Sequence, residues 1–102
     1  MKFSILPADA IAAELGVRLR RQRLHKNLTQ ADLAVMAGVS TGAIRQLERD
    51  GQSSMTTFLK VVHALGMIRE LESLFLQRPQ SLAELERLAA TSERQRARKK
   101  SW

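Results

Sequence analysis

Residues 28–51 read LTQADLAVMAGVSTGAIRQLERDG, and this stretch decides the fold. Thr29 offers a side-chain oxygen to open a helix at Gln30, and Asp32 stands three residues on, as a short-armed capping box requires. The segment 30–37 turns Leu33, Ala34 and Ala37 inward, and Gly38 ends it. Val39 then leads to Ser40, a second good N-cap. The next helix, running to about Glu48, carries Ile44 and Leu47 three apart on one face. The small residues Ala34 and Gly38, with Val39 and Ile44, let two short helices press close together. Ser40, Thr41, Gly42, Arg45 and Gln46 fall away from Ile44 and Leu47 and form the exposed face.

Outward from this core the chain continues as helix, with five Gly, two Pro and almost no alternating β-branched pattern. A longer helix is predicted over 8–25, with Ile11, Leu15 and Leu19 on one side and Arg18, Arg20, Arg21 and Arg23 around the other, stopping at Asn27. After the turn-rich Arg49-Asp50-Gly51-Gln52-Ser53, Ser54 caps a fourth helix with Phe58 or Leu59, Val62 and Leu65 inward, ended by Gly66. A short fifth helix, 68–76, carries Ile68, Leu71, Leu74 and Phe75. Pro79 breaks the chain, and Ser81 with Glu84 makes a capping box for a last helix over 82–90 with Leu82, Leu85 and Leu88. The expected organisation is an all-α domain over 1–76, a helical extension over 77–90 and a flexible basic tail over 91–102.

Length and composition narrow the function. At 102 residues the chain makes one modest core. It has no cysteine, so disulfides, thiol catalysis and thiolate zinc sites are excluded. His25 and His63 belong to no ligand cluster, and no metal or cofactor is expected. Paired carboxylates, an activated nucleophile and a phosphate loop are all missing, so an enzyme is not expected. The apolar start before Pro7 is too short for a signal peptide and no later run approaches a membrane span. A cytoplasmic location follows as the expectation.

Charge is uneven. The formal net charge is +7, from +4 over residues 1–26, −2 over 27–93 and +5 over 94–102. Two basic ends around a near-neutral middle suit a polyanion. Aromatics are scarce (Phe3, Phe58, Phe75 and Trp102), so there is no stacking platform for single strands, and duplex DNA is the better partner. Two short helices around a tight turn, behind a basic helix, form a helix-turn-helix over about 29–49. Its second helix is the one that enters the major groove. The helix start at Ser40, and that at Gln30, would present N–H groups to phosphates. Gln46 can pair with adenine, Arg45 with guanine or a phosphate, and the Thr41 methyl with thymine.

The motifs L-T-Q-A-D-L-A, A-G-V-S, I-x-x-L-E and the later A-L-G resemble those of the Cro/C1-type (XRE family) transcriptional regulators, over roughly Leu15 to Phe75. The resemblance implies a lambda-repressor-like fold of five helices, a homodimer and a palindromic operator. By it, Gln30 and Ser40 contact phosphates, while Thr41, Gly42, Arg45 and Gln46 reach base edges or the neighbouring backbone. It also makes Arg23 and Glu48 a structural ion pair. Spacing independently sets Arg23 near Glu48 if Leu19 is buried, the alternative being a direct phosphate contact. Gly42 departs from the long polar residue often found there, which suggests a short footprint or more shape readout. Gln22 replaces a usually apolar residue and belongs at an edge of the core.

One recognition helix makes too few base contacts, so a dimer spanning half-sites about 34 Å apart is expected. Ile68, Leu71, Leu74 and Phe75 are its candidate interface. Neither an effector-binding domain nor a small-molecule effector is expected. The whole pattern, from L-R-R-Q-R-L-H-K-N-L-T-Q through R-Q-R-A-R-K-K, is similar to the HipB-like antitoxins, which implies an autorepressor paired with a HipA-like kinase toxin. A stand-alone Cro-like repressor and a helical protein-interaction module are the alternatives. In the tail, Arg94, Arg96, Arg98, Lys99, Lys100 and Trp102 either follow the DNA backbone or dock in a toxin groove.

Overall fold

A computed structural model describes residues 2–77, 82–83 and 86–91. The chain divides into two units after Glu72, ahead of the 76/77 boundary read from the sequence. The first unit opens with a 3-10 turn, Phe3–Ile5, and continues through four α-helices: α1 (Ala8–His25), α2 (Gln30–Ala37), α3 (Thr41–Asp50) and α4 (Met55–Ala64). A second 3-10 turn, Ile68–Leu71, completes it. In the second unit, residues 82–83 and 86–91 are helical. The described residues contain no strand, so the protein is all-α.

Local chemistry sets the helix ends. Asn27, at φ 57°, closes the connection after α1 in the left-handed conformation that Asn tolerates. Thr29 caps α2 in a complete capping box: its Oγ1 accepts from the Asp32 N–H at 2.9 Å, and the Asp32 carboxylate accepts from the Thr29 N–H at 3.0 Å. Ser40 and Ser54 cap α3 and α4, each accepting at 3.0 Å from the backbone N–H three residues on. Gly38, at φ 70°, turns the chain between α2 and α3. The Val39 N–H then donates to the Ala34 carbonyl, which closes the end of α2.

The core is Leu19, Leu33, Ala34, Ile44, Leu47, Val61, Val62 and Leu65, one patch from each of the four helices. Leu28, Val39, Phe58, Met67, Ile68 and Leu71 pack around it. The predicted stripe of α1 is rotated. Ile11 and Leu15 are only half-buried, and the buried positions are Gly16, Leu19 and Arg23. Gly16 is the cause, because its bare Cα lets α1 settle onto the backbone of α3.

The predicted helix over 68–76 is also corrected. Only Ile68–Leu71 winds, as a 3-10 turn, and residues 72–75 are turns. Phe75 has φ 60°, a left-handed conformation that a helix cannot continue through. Ile68 and Leu71 are partly buried against the core, whereas Leu74 and Phe75 are exposed, Phe75 at 96%. The Ser81–Glu84 capping box and Leu85 lie outside the described residues.

Candidate nucleic-acid interface

The site is built on α2, the Gly38 turn and α3. Gly42, Arg45 and Gln46 are exposed on α3, and Thr41 is half-buried at its first turn. Ile44, Leu47 and Glu48 occupy the opposite, buried side. At the start of α3 the Ser40 Oγ accepts from the Ala43 N–H, so its hydroxyl proton can point outward. The first N–H groups of a helix have no intrahelical acceptor, and together with the helix dipole they make this end suited to an anion.

The far end of α3 is anchored by charge. Arg23 donates through Nε to Glu48 Oε2 at 2.7 Å and through Nη2 to Glu48 Oε1 at 2.9 Å, a two-pronged pair. Its third nitrogen, Nη1, donates to the Leu28 carbonyl at 2.8 Å. Both residues are 6% exposed. The hydrogen bond to Glu48 raises the Arg23 pKa further above its ordinary value, against the opposing effect of burial. Among the described residues, no buried side-chain N or O lacks a partner. A buried pair of this kind adds little net stability but fixes where its helices meet. Here it locks α1, the loop before α2 and the end of α3 together.

Gln30 belongs to the same network. Its Nε2 donates to Glu48 Oε1 at 3.1 Å, a bond across helices that residue spacing does not predict. A carboxylate only accepts, so the amide nitrogen must face it, and one N–H remains on the same nitrogen. Arg20, Arg45 and Arg49 line a shallow cleft with Gln30 and Glu48. The three arginines are exposed. Arg49 has a loose contact with Asp50 at 3.3 Å.

Sequence patterning gives Gly16 no role, sets Arg20 only among the basic residues of the first helix, and sets Arg49 and Gly51 only in a turn. The signal for Gly16 was a lone glycine inside an amphipathic helix, which usually marks close packing. Arg20 and Arg49 carry no comparable signal, because only the packing of α1 on α3 brings them together. His25 and His63 are exposed. No group of three His, Asp or Glu residues among the described residues could hold a metal ion. No described helix is long and apolar enough to cross a membrane. The tail positions Arg94, Arg96, Arg98, Lys99, Lys100 and Trp102 lie outside the described residues.

A family model described as helix-turn-helix matches residues 19–72, just over half of the chain. The match runs from the buried Leu19 of α1 to the residue after the second 3-10 turn. No curated protein matches the chain.

Proposed function

The chain belongs to the XRE-type helix-turn-helix family of DNA-binding regulators, and from that premise we propose that it is a sequence-specific repressor binding a palindromic operator as a homodimer. The observation that carries this reading is α3 itself. It is capped by Ser40, anchored at its other end by the Arg23–Glu48 pair, and shows solvent a polar face of Gly42, Arg45 and Gln46. Such a helix is held at both ends and, among the described residues, uncovered on its polar face, as insertion into a major groove demands.

In this reading Gln46 bonds adenine N6 and N7, and the Thr41 methyl meets thymine. Arg45 stands within reach of a guanine edge or the adjoining backbone. Ser40 and Gln30 hold phosphates at the starts of α3 and α2. Gly42 leaves open space above the helix, since a methyl built on it would approach only the Ser40 Oγ, at 3.9 Å. That favours a short footprint supplemented by DNA shape. Pairing of two chains supplies the second half-site, with Ile68, Leu71, Leu74 and Phe75 as its candidate residues, of which Leu74 and Phe75 are exposed.

We infer further that the protein is the antitoxin and autorepressor of a HipBA-like operon, with a HipA-like kinase as partner. The support is the resemblance of the whole pattern from residue 19 through residue 100 to HipB-like antitoxins. Under this reading the tail either tracks DNA or docks on the toxin. Deleting residues 91–102 should flatten the salt dependence of DNA binding in the first case. In the second it should abolish toxin binding and spare the operator.

Fluorescence anisotropy with duplex DNA from immediately upstream of the gene, against a scrambled duplex, tests the core claim. Nanomolar binding at least about a hundredfold tighter than to the scrambled duplex, and persisting in salt, is the expected result. Equal, weak binding to both that vanishes in salt would reduce the protein to a basic surface attracting polyanions.

A further inference from the structure

Arg20 of α1 and Arg45 and Arg49 of α3 stand around one cleft whose remaining walls are Gln30, the first residue of α2, and Glu48. Arg45 and Arg49 are four apart and so share a helix face. Gln46, one residue on, is turned about 100° around the helix, and neither it nor Thr41 lines the cleft. The Glu48 carboxylate does not cancel the arginines, because it is already bound at both oxygens by Arg23 and also accepts from Gln30. Among the described residues neither Arg20 nor Arg45 has an ion-pair partner. Arg49 has only the exposed contact to Asp50. Three guanidinium groups around one opening repel one another, and a single anion seated between them relieves that repulsion.

We propose that this cleft is a seat for one backbone phosphate of duplex DNA, held by Arg20, Arg45 and Arg49. The proposal rests on the DNA-binding reading above and assigns Arg45 to the backbone rather than to a base edge. Guanidinium forks match the two free oxygens of a phosphodiester, and the remaining N–H of Gln30 is a further donor at the same opening. The seat joins α1 to the recognition helix through the DNA, so α1 becomes part of the interface. It also leaves Gln46 and Thr41 as the side chains that read bases.

The test is a salt titration of the full chain on two labelled duplexes of roughly two helical turns each, one from upstream of the gene and one scrambled. Arg20→Gln, Arg49→Gln and Arg45→Gln are compared with Arg69→Gln, which removes an exposed charge on the second 3-10 turn, outside the cleft. Each cleft variant is expected to weaken binding to both duplexes by the same factor, and to reduce the slope of log K against log salt by about 0.9 per chain, about 1.8 for the bound homodimer. Arg69→Gln should leave the slope unchanged, and thermal melts should match wild type because all four side chains are exposed.

Slopes unchanged in Arg20→Gln and Arg49→Gln, or lowered equally by Arg69→Gln, would overturn the seat while DNA binding stands. If Arg45→Gln instead erased the preference between duplexes at an unchanged slope, Arg45 would be a base reader and the assignment wrong. Failure of the wild-type protein to bind either duplex would overturn the DNA-binding reading itself, and the seat with it.

Discussion

Gly16 of α1 lies directly against the backbone of Leu47 in α3: a methyl group built on its Cα would fall on the Leu47 carbonyl oxygen and come to 3.4 Å from that of Glu48. A second glycine makes a matching approach. A methyl on Gly51, just past α3, would fall on the Ala12 carbonyl, and its φ of 76° disfavours a side chain in any case. These two contacts set how close α1 stands to α3. The distance matters because Arg23 must reach Glu48, and Arg20 must stand beside Arg45 and Arg49, for the proposed DNA-facing surface to take its shape.

Two glycine-to-alanine substitutions should therefore act in opposite directions. Gly16→Ala gains helix propensity of about 1 kcal/mol but must displace rigid backbone, which overpacking data put at about 1–3 kcal/mol or more. Net loss of stability is expected. Gly42→Ala faces open space in a helix and should gain about 0.5–1 kcal/mol. Urea denaturation of the two variants decides it, and a stabilised Gly16→Ala would show that α1 can move away from α3.

Removing one member of the Arg23–Glu48 pair leaves the other charge buried alone. Arg23→Met and Glu48→Leu should each cost about 3–5 kcal/mol, while the double variant should recover most of that loss. A double-mutant cycle in urea measures the coupling. Costs that simply add would mean the two residues act independently.

On DNA, Gln46→Ala should cut discrimination between the upstream and scrambled duplexes by about 1–3 kcal/mol without altering the melting temperature. Ser40→Ala should weaken both duplexes alike and lower stability by about 1 kcal/mol through loss of the cap. Anisotropy titrations beside thermal melts separate the two roles.

Hydrogen bonds from the Thr29 backbone and side chain hold the Asp32 carboxyl below its ordinary value. A carboxyl lowered by folding contributes stability that is fully present above its unfolded pKa, about 3.9, and lost as pH falls through its lowered folded value. The melting temperature of wild type should thus fall more steeply below about pH 4 than that of Asp32→Asn, which keeps an acceptor oxygen without a titrating charge. The effect is small because Asp32 is exposed. Parallel pH profiles for the two proteins would show no capping contribution from the charge.

Phe75 is held out at 96% exposure with Leu74 beside it. If these residues pair two chains, the Leu74→Ser/Phe75→Ser variant should sediment as a folded monomer and lose operator affinity. A variant that remained dimeric would move the interface elsewhere.

What the sequence settled by itself was local. Thr29 with Asp32, Ser40, Ser54 and Gly38 mark helix ends through hydrogen bonds that close within three residues or through a backbone angle that glycine takes freely, so their positions are readable from neighbours alone. The inward faces of α2 and α3 were legible for the same reason, since short helices with few apolar residues have one way to bury them. Arg23 facing Glu48 was reachable from spacing and family resemblance together. Tertiary structure alone decided the rest. Apolar spacing on α1 fitted a stripe through Ile11, Leu15 and Leu19, yet the stripe that is buried runs through Gly16, Leu19 and Arg23. The choice depended on a backbone contact with Leu47, thirty-one positions away by the numbering. The Gln30–Glu48 hydrogen bond and the arginine cleft also join residues from different helices. Helical periodicity determines which residues share a face, but only the closest approach of two backbones determines which face is turned in.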